Sequence, residues 1–326
     1  MVTGLKKRRG LRVFAVLTGL ALAVLTAALI LLAGCGPQDG DYKVHTEKWF
    51  VENSRGSFTL MEAAVPVDYE GRTDIGGADG TGGMPLVAVA HGFTGSMDSG
   101  GAQELIRRMA AAGIAAVRMD FDGYLDPEGR GDESNRSCEY TLRDMQDDLT
   151  LTVQQMCARY DIDTSRLGIY GRSMGGRAAM MAANESYGGF EYQAMALVAP
   201  AGNEGAMIYF MGGEENWKAM KEQAASEGFV WYKQLRLRPD WFTQFEEYNP
   251  CEHGYKFGEK PVLVICNTLD HVVTDETSRE CAAAYKNSRV IEVTTDNAHG
   301  YEMSYEDSPL KDQLMEAIVE HFQNSL

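Results

Sequence analysis

The sequence is short of basic residues, with 30 Lys and Arg against 47 Asp and Glu and a net charge of −17. Such a charge repels a phosphate backbone and argues against a nucleic-acid-binding protein. The sequence also lacks a C-x-x-C pair, which argues against a zinc or redox site of that type, and it lacks internal repeats. The 326 residues, 44% of them hydrophobic, are typical of a globular protein with a large core.

The bases that do occur are concentrated at the N-terminus. Residues 1–34 contain five bases, all within KKRRGLR, and no acid, and an apolar segment follows from Val13 to Leu32. A basic start before an apolar segment is typical of a targeting sequence. The segment ends in LAGC, Leu32 to Cys35, which resembles a bacterial lipobox, whose cysteine is lipidated and becomes the new N-terminus.

The resemblance implies a signal peptide over 1–35, a lipid anchor such as palmitate on Cys35 and attachment to the bacterial cell membrane. An uncleaved membrane anchor is the alternative, because about 20 apolar residues can span a bilayer. Both hypotheses place the bases inside and the rest of the chain outside the cytoplasm. We therefore expect an extracytoplasmic protein whose membrane contact is made through its N-terminus.

Five cysteines follow Cys35, an odd number that leaves at least one thiol free within a single chain. Cys266 lies in the apolar run PVLVIC and is predicted to be a buried free thiol. The other four allow three pairings, which the sequence does not separate: Cys138, Cys157, Cys251 and Cys281.

Short apolar runs alternate with helical patterns from residue 85 onward. This alternation predicts a mostly parallel sheet with helices on both faces, in one domain over 47–326 preceded by a polar tether over 36–46. Residues 201–258 break the rhythm, because they are far longer than an ordinary connection. They contain 12 of the 31 aromatic residues, which predicts an insertion with its own small core.

Ser173 lies in GRSMG, 171–175, a G-x-S-x-G pattern between the strand RLGIY and a helix rich in small residues. Glycines at 171 and 175 remove side chains that would clash in a sharp strand-to-helix turn. Such a turn presents the hydroxyl at the carboxyl end of the sheet, where a helix N-terminus favours negative charge. We therefore predict Ser173 as a nucleophile, with an incidental serine in a glycine turn as the alternative.

A serine nucleophile needs a base and an acid, which follow it along the chain as acid and then histidine. His299, in the loop TDNAHGY after the last predicted strand, is the predicted base. Asp270, in NTLDHVV after PVLVIC, is the predicted acid, and Asp275 is the second candidate. The D-x-x-V arrangement predicts that the valine tucks the loop back while the carboxylate faces the imidazole.

The loop HGFTGSMDSGG follows the strand PLVAVA and is placed to form half of an oxyanion hole. That hole needs one N–H from this loop and one from the residue after the nucleophile, which by position are Phe93 and Met174. His91 is predicted to be structural. The acidic loop around 120–135 does not match the spacing of a calcium loop, so we expect a solvated rim, no metal and no cofactor.

Four segments in this order, HGFTG, GRSMGG, LDHVV and AHGY, resemble the α/β-hydrolase superfamily over roughly 47–326. The most similar branch contains cinnamoyl and feruloyl esterases and related carboxylesterases. The resemblance implies the α/β-hydrolase fold, with 201–258 as a lid insertion between the sixth and seventh strands that roofs the site. Two features depart from the branch: the loop after the fourth strand is longer and more acidic, and Met174 replaces a frequent Gln.

The function expected from these features is hydrolysis of small-molecule carboxylic esters through a Ser-His-Asp triad and an acyl-enzyme. The enzyme would be tethered to the membrane by its lipid anchor and would bind no nucleic acid. A serine peptidase or lipase of the same fold remains an alternative, because the same triad serves amides and lipid esters. A non-catalytic binding lipoprotein is the other alternative.

Overall fold

A computed structural model of the protein describes residues 42–67, 69, 82–121, 141–233, 235–304 and 307–326. The predicted lipobox with Cys35, the cysteine at 138 and most of the acidic loop lie outside these residues. Within them, no helix is long and apolar enough to cross a membrane.

Eight strands form the central sheet in the order β1-β2-β4-β3-β5-β6-β9-β10. The β1–β2 and β2–β4 pairs are antiparallel, and every other pair is parallel. The strands are β1 Val44–Glu52, β2 Phe58–Pro66, β3 Met84–Ala90, β4 Ala115–Met119, β5 Ile162–Arg172, β6 Tyr192–Val198, β9 Val262–Asn267 and β10 Ser288–Val293, and the separate hairpin is β7 Val230–Tyr232 and β8 Leu235–Leu237.

The predicted tether boundary at residue 46 is wrong by three residues. β1 begins at Val44, because its backbone pairs with β2 along its whole length, from Val44 opposite Pro66 to Glu52 opposite Phe58.

Helices cover both faces of the sheet, as predicted. They are α1 Ala102–Ala111, α2 Leu142–Arg159, α3 Met174–Glu185, α4 Glu204–Phe210, α5 Glu214–Glu227, α6 Pro239–Glu247, α7 Asp275–Ala283 and α8 Pro309–Gln323. The buried side chains of α1 and α8 form one core cluster with Val87 and Val89, and those of α2 and α3 form another with Leu86 and Ala88. Because alternate residues of β3 join opposite clusters, this strand is buried on both faces.

The insertion lies between β6 and β9, the sixth and seventh strands of the sheet, and contains α4, α5, the hairpin, α6 and a 3₁₀ helix from Pro250 to Phe257. Its aromatic side chains mostly pack on one another. Trp241 is fully buried, with ring centroids 5.5 Å from Trp217, 5.2 Å from Phe242 and 4.9 Å from Phe245. The aromatic density of 201–258 therefore serves mainly to fold the insertion.

His321, on the closing helix α8, faces the sheet and donates a hydrogen bond from Nε2 to Met195 O at 3.0 Å. Burial lowers the pKa of His321 from 6.5 to about 4. Between these two pH values the unfolded chain binds a proton that the folded chain rejects, so the free energy of unfolding must fall as the pH falls.

We expect His321→Gln to remove this part of the pH dependence, because glutamine keeps a donor but does not titrate. Between pH 7.5 and 4.5, urea unfolding should show that the wild type loses about 2 kcal/mol more than the variant. The difference between the two proteins isolates His321, since all other groups titrate in both. Equal losses in the two proteins would show that His321 does not resist protonation in the fold.

Candidate active site

Ser173 lies between β5 and α3 in a backbone conformation that side-chain-bearing residues rarely adopt, with φ 53° and ψ −120°. The flanking glycines make the turn possible. A Cβ at Gly171 would lie 2.3 Å from the carbonyl oxygen of Gly175, and one at Gly175 would lie 2.3 Å from that of Ala90. The predicted role of these two glycines is thus confirmed by the space around them.

Backbone hydrogen bonds hold this strained turn in place. Ser173 N donates to Val198 O at the end of β6 at 2.9 Å. Ser173 O accepts bonds from Gly176 N at 2.9 Å, from Arg177 N at 3.2 Å and from Ala201 N at 3.0 Å. The turn is therefore fixed both by its own helix and by the segment that follows β6.

Asp270 follows β9 and is buried, and both of its carboxylate oxygens have partners. Oδ1 accepts hydrogen bonds from the backbone N–H groups of Val272 at 2.8 Å and Val273 at 3.0 Å. Oδ2 lies 2.7 Å from His299 Nδ1 and accepts a bond from the Tyr301 hydroxyl at 3.3 Å. Val273 is buried, which is the tucked valine that D-x-x-V predicts.

Asn267, which we did not predict, joins the loop of Asp270 to the loop of His299. Its side chain is fully buried and donates to Thr295 O at 2.9 Å and Ala298 O at 2.8 Å. Its Oδ1 accepts bonds from the N–H groups of Leu269 and Thr295. An asparagine at the end of the buried run PVLVICN was the only sign of this role in the sequence.

The alternative acid and the other histidines of this half of the chain lie elsewhere. Asp275 begins α7 and pairs with Arg279 one turn away, at 3.4 Å. His271 is exposed, and His253 stacks on Tyr248 with ring centroids 4.5 Å apart. The structure thus brings His299 together with Asp270 and places Asp275 in a surface ion pair.

Ser173 and His299 line the same pocket, whose volume is about 260 Å³. Among the described residues, the Ser173 hydroxyl has no hydrogen-bond partner, so its contact with the imidazole is not formed in this structure. Such contacts often tighten only when a substrate is bound.

The predicted oxyanion donors are the backbone N–H groups of Phe93 and Met174. Phe93 lines it, and Met174 is the first residue of α3, directly after Ser173. Within the described part of the chain neither N–H donates a hydrogen bond. Two unused backbone donors, one in the loop after β3 and one directly after the serine, are what an oxyanion hole requires.

His91 holds the loop that carries Phe93. The ring is buried, its Nε2 accepts a bond from Phe121 N at 3.1 Å, and its Nδ1 lies 2.8 Å from Gly92 O. Both ring nitrogens are therefore occupied by the backbone, with Nδ1 as the donor. This arrangement agrees with the structural role predicted for His91.

Charged residues of β2, of β4 and just after β4 also hold the loop that follows β3. Arg118 is fully buried, donates to Met97 O at 2.7 Å and pairs with Glu62 and with Asp98. Asp120 Oδ1 accepts a bond from Met97 N at 2.6 Å, and burial raises the pKa of its carboxyl group. Asp120, the first acid of the predicted rim loop, therefore serves the loop around Met97 rather than a solvated rim.

Two arginines flank the nucleophile turn. Arg172 lines the pocket and donates a hydrogen bond to the backbone oxygen of His299. Arg177 is fully buried and donates to Gly202 O at 2.9 Å and to Phe245 O at 2.9 Å, with its guanidinium 4.0 Å above the Phe245 ring. Burial lowers the pKa of Arg177 to about 10. Arg172 thus holds the histidine loop, and Arg177 holds the insertion to α3.

The rest of the pocket wall is largely apolar and includes Met207 and Phe210 of the insertion. Phe93 connects the loop after β3 to the insertion, because its ring centroid lies 6.0 Å from that of Phe210 and 5.4 Å from that of Trp241. The insertion therefore supports the loop that carries the Phe93 N–H.

The chain matches known proteins in family, sequence and fold. The family model described as serine aminopeptidase, S33 (Hydrolase_4), matches residues 84–249, about half of the chain. Cutinase 2 of Thermobifida cellulosilytica is 30% identical over 121 residues, which cover 33% of this chain and 42% of that cutinase. The match thus spans less than half of the cutinase.

Solved structures with the same fold include Est1E of Butyrivibrio proteoclasticus with bound ferulic acid. That chain is 19% identical with a TM-score of 0.59, over 85% of this chain and 98% of that one. An acetyl xylan esterase of Paenibacillus sp. R4 is 16% identical with a TM-score of 0.58, over 89% of this chain and 87% of that one. The likeness establishes the α/β-hydrolase fold, and with the family match it follows that the chain belongs to the Hydrolase_4 (serine aminopeptidase, S33) family.

Proposed function

We propose that the protein is a serine hydrolase that cleaves carboxylic esters through an acyl-enzyme. The observation that carries the proposal is the 2.7 Å contact between His299 Nδ1 and the buried Asp270 carboxylate, in a loop that borders the pocket of Ser173. A buried carboxylate on Nδ1 fixes the imidazole tautomer and leaves Nε2 free to accept a proton.

In the proposed reaction, substrate binding brings the Ser173 hydroxyl to His299 Nε2, which accepts its proton as Ser173 Oγ attacks the ester carbonyl. The N–H groups of Phe93 and Met174 stabilise the oxyanion. The imidazolium then gives its proton to the leaving alcohol, and Asp270 stabilises the positive charge. Water, deprotonated by His299, attacks the acyl-enzyme and releases the acid.

Ester hydrolysis fits the pocket better than the aminopeptidase activity in the family's description. An aminopeptidase must bind a free α-ammonium group, for which a carboxylate is the natural partner. Among the described residues of the pocket wall, none is acidic, and Arg172 contributes a positive charge. Such a wall repels an α-ammonium group but tolerates a neutral or anionic ester.

The apolar wall and the modest volume suit esters of small or aromatic acids. Two of the similar proteins are named for ester hydrolysis, Cutinase 2 and the acetyl xylan esterase. The third, Est1E, was solved with bound ferulic acid, an aromatic acid. We therefore propose small-molecule esters as substrates, with hydroxycinnamates and acetates as the first to test.

We further propose that the enzyme acts outside the cytoplasm, tethered to the membrane through lipid on Cys35. The basis is the sequence KKRRGLR, the apolar segment after it and LAGC at its end. More than one acyl chain is needed for stable attachment, which a lipoprotein anchor supplies.

The function is tested by comparing detergent-purified full-length protein with its Ser173→Ala variant on acetyl, butyryl, hydroxycinnamoyl and aminoacyl substrates. We expect hydrolysis of the esters and little cleavage of aminoacyl anilides, with a loss of at least about 10³-fold in kcat for Ser173→Ala. A serine-directed fluorophosphonate should label only the wild type. If the two proteins label and turn over alike, Ser173 is not the nucleophile. Cleavage of the aminoacyl anilides alone would favour the peptidase alternative, and a wild type that cleaves no substrate and takes no label would favour the binding lipoprotein.

The identity of the acid is tested with Asp270→Asn and, as its matched control, Asp275→Asn. We expect Asp270→Asn to lower kcat by about 10³ to 10⁴-fold, because the amide favours the wrong imidazole tautomer. Asp275→Asn removes only an exposed ion pair and should keep kcat within about twofold. The reverse result would make Asp275 the acid.

The anchor is tested with Cys35→Ala in a bacterial host grown with a radiolabelled or alkyne-tagged palmitate. We expect the wild type to incorporate the label and Cys35→Ala to lose it, because lipidation requires the thiol. Labelling that persists in Cys35→Ala would place the lipid on another residue, and a wild type that never acquires label would favour the uncleaved anchor.

A further inference from the structure

Cys251 and Cys281 bring their sulfur atoms within 3.2 Å of each other. Cys251 lies in the 3₁₀ helix that ends the insertion, and Cys281 lies in the last turn of α7, which follows the loop of Asp270. A disulfide bond is about 2 Å long, so a small shift would join the two sulfurs. Cys281 is fully buried and Cys251 is half-buried, so an external reagent reaches Cys251 first.

The absence of a side chain at Gly202 leaves room for both sulfur atoms. A Cβ at Gly202 would lie 2.2 Å from the Cys281 sulfur and 2.7 Å from the Cys251 sulfur, so a larger residue there would displace them. Arg177 donates to Gly202 O, and its guanidinium places a positive charge near both sulfurs. The contact with Cys251 and burial raise the pKa of the Cys281 thiol well above its usual range, so Cys281 stays protonated until Cys251 has reacted.

The two other cysteines that the structure describes do not share this arrangement. Cys266 is fully buried in β9, as predicted, and Cys157 is half-buried on α2. Among the described residues neither sulfur has another cysteine within bonding reach. Of the three pairings that the sequence left open, the geometry favours the one that joins Cys251 to Cys281.

We propose that Cys251 and Cys281 form a disulfide that ties the end of the insertion to α7. The Cys251 thiolate attacks an external disulfide, such as oxidised glutathione or the disulfide of a thiol oxidoreductase, and releases one thiol. The Cys281 thiol loses its proton and attacks the Cys251 sulfur, and the second external thiol leaves. The two cysteines together lose two protons and two electrons, and the external disulfide is reduced to two thiols.

The bond closes a loop from 251 to 281 that contains β9 and Asp270. It therefore limits the motion of the insertion and of the acid loop at once, and it restricts the unfolded chain. The proposal is independent of ester hydrolysis, because it is tested by mass and by thermal stability rather than by turnover.

The test treats the folded full-length protein with oxidised glutathione, blocks remaining thiols with iodoacetamide and maps its peptides without reduction. We expect the peptides of Cys251 and Cys281 to be joined and 2 Da lighter than the free pair. The melting temperature should be higher than that of dithiothreitol-treated protein by roughly 3 °C or more. Cys157→Ser should keep both results, and Cys251→Ser should lose both.

The proposal is overturned if both thiols are alkylated after oxidation of the folded protein, or if either pairs with another cysteine. It is also overturned if dithiothreitol changes the melting temperature of Cys251→Ser as much as that of the wild type. Circular dichroism of each variant establishes that it is folded before oxidation.

Discussion

The site depends on one constraint, the strained backbone of Ser173. A residue with a side chain at φ 53° and ψ −120° is unfavourable on its own, and the turn persists because its neighbours determine it. Glycines at 171 and 175 allow the close approach of β5, α3 and the end of β3. Hydrogen bonds to Val198 O at the end of β6 and from the Ala201 N–H in the segment after it hold the turn in place. The position of the hydroxyl is thus set by the sheet rather than by a flexible loop.

The insertion is part of the same construction. Arg177 lies four residues after Ser173. Its guanidinium donates hydrogen bonds to two backbone oxygens of the insertion, those of Gly202 and Phe245. Phe93 packs against Trp241, so the loop that offers an N–H to the pocket rests on the core of the insertion. The proposed disulfide would add a covalent connection between the insertion and the loop of Asp270. Met207 and Phe210 of the insertion line the pocket, and Phe210 packs against Phe93 of the loop after β3.

Much of this architecture could be predicted, because local patterns determine it. The strand–Ser173–helix turn, the apolar strands and the valine after Asp270 each carry a short signature in the sequence. Asn267, the Arg118–Glu62 pair and the contact of Arg172 with His299 could not be predicted, because each joins segments far apart in the chain. The sequence places the first residues of β1 in a polar tether, because their strand character depends on pairing with β2.

The most direct test of the central claim is to trap the covalent intermediate. The protein is mixed with an activated aryl ester, quenched in acid within milliseconds and analysed by intact mass and peptide mapping. The account predicts a burst of aryl alcohol and an acyl group on the peptide that contains Ser173. Steady turnover without an adduct, or an acyl group on another residue, would contradict it.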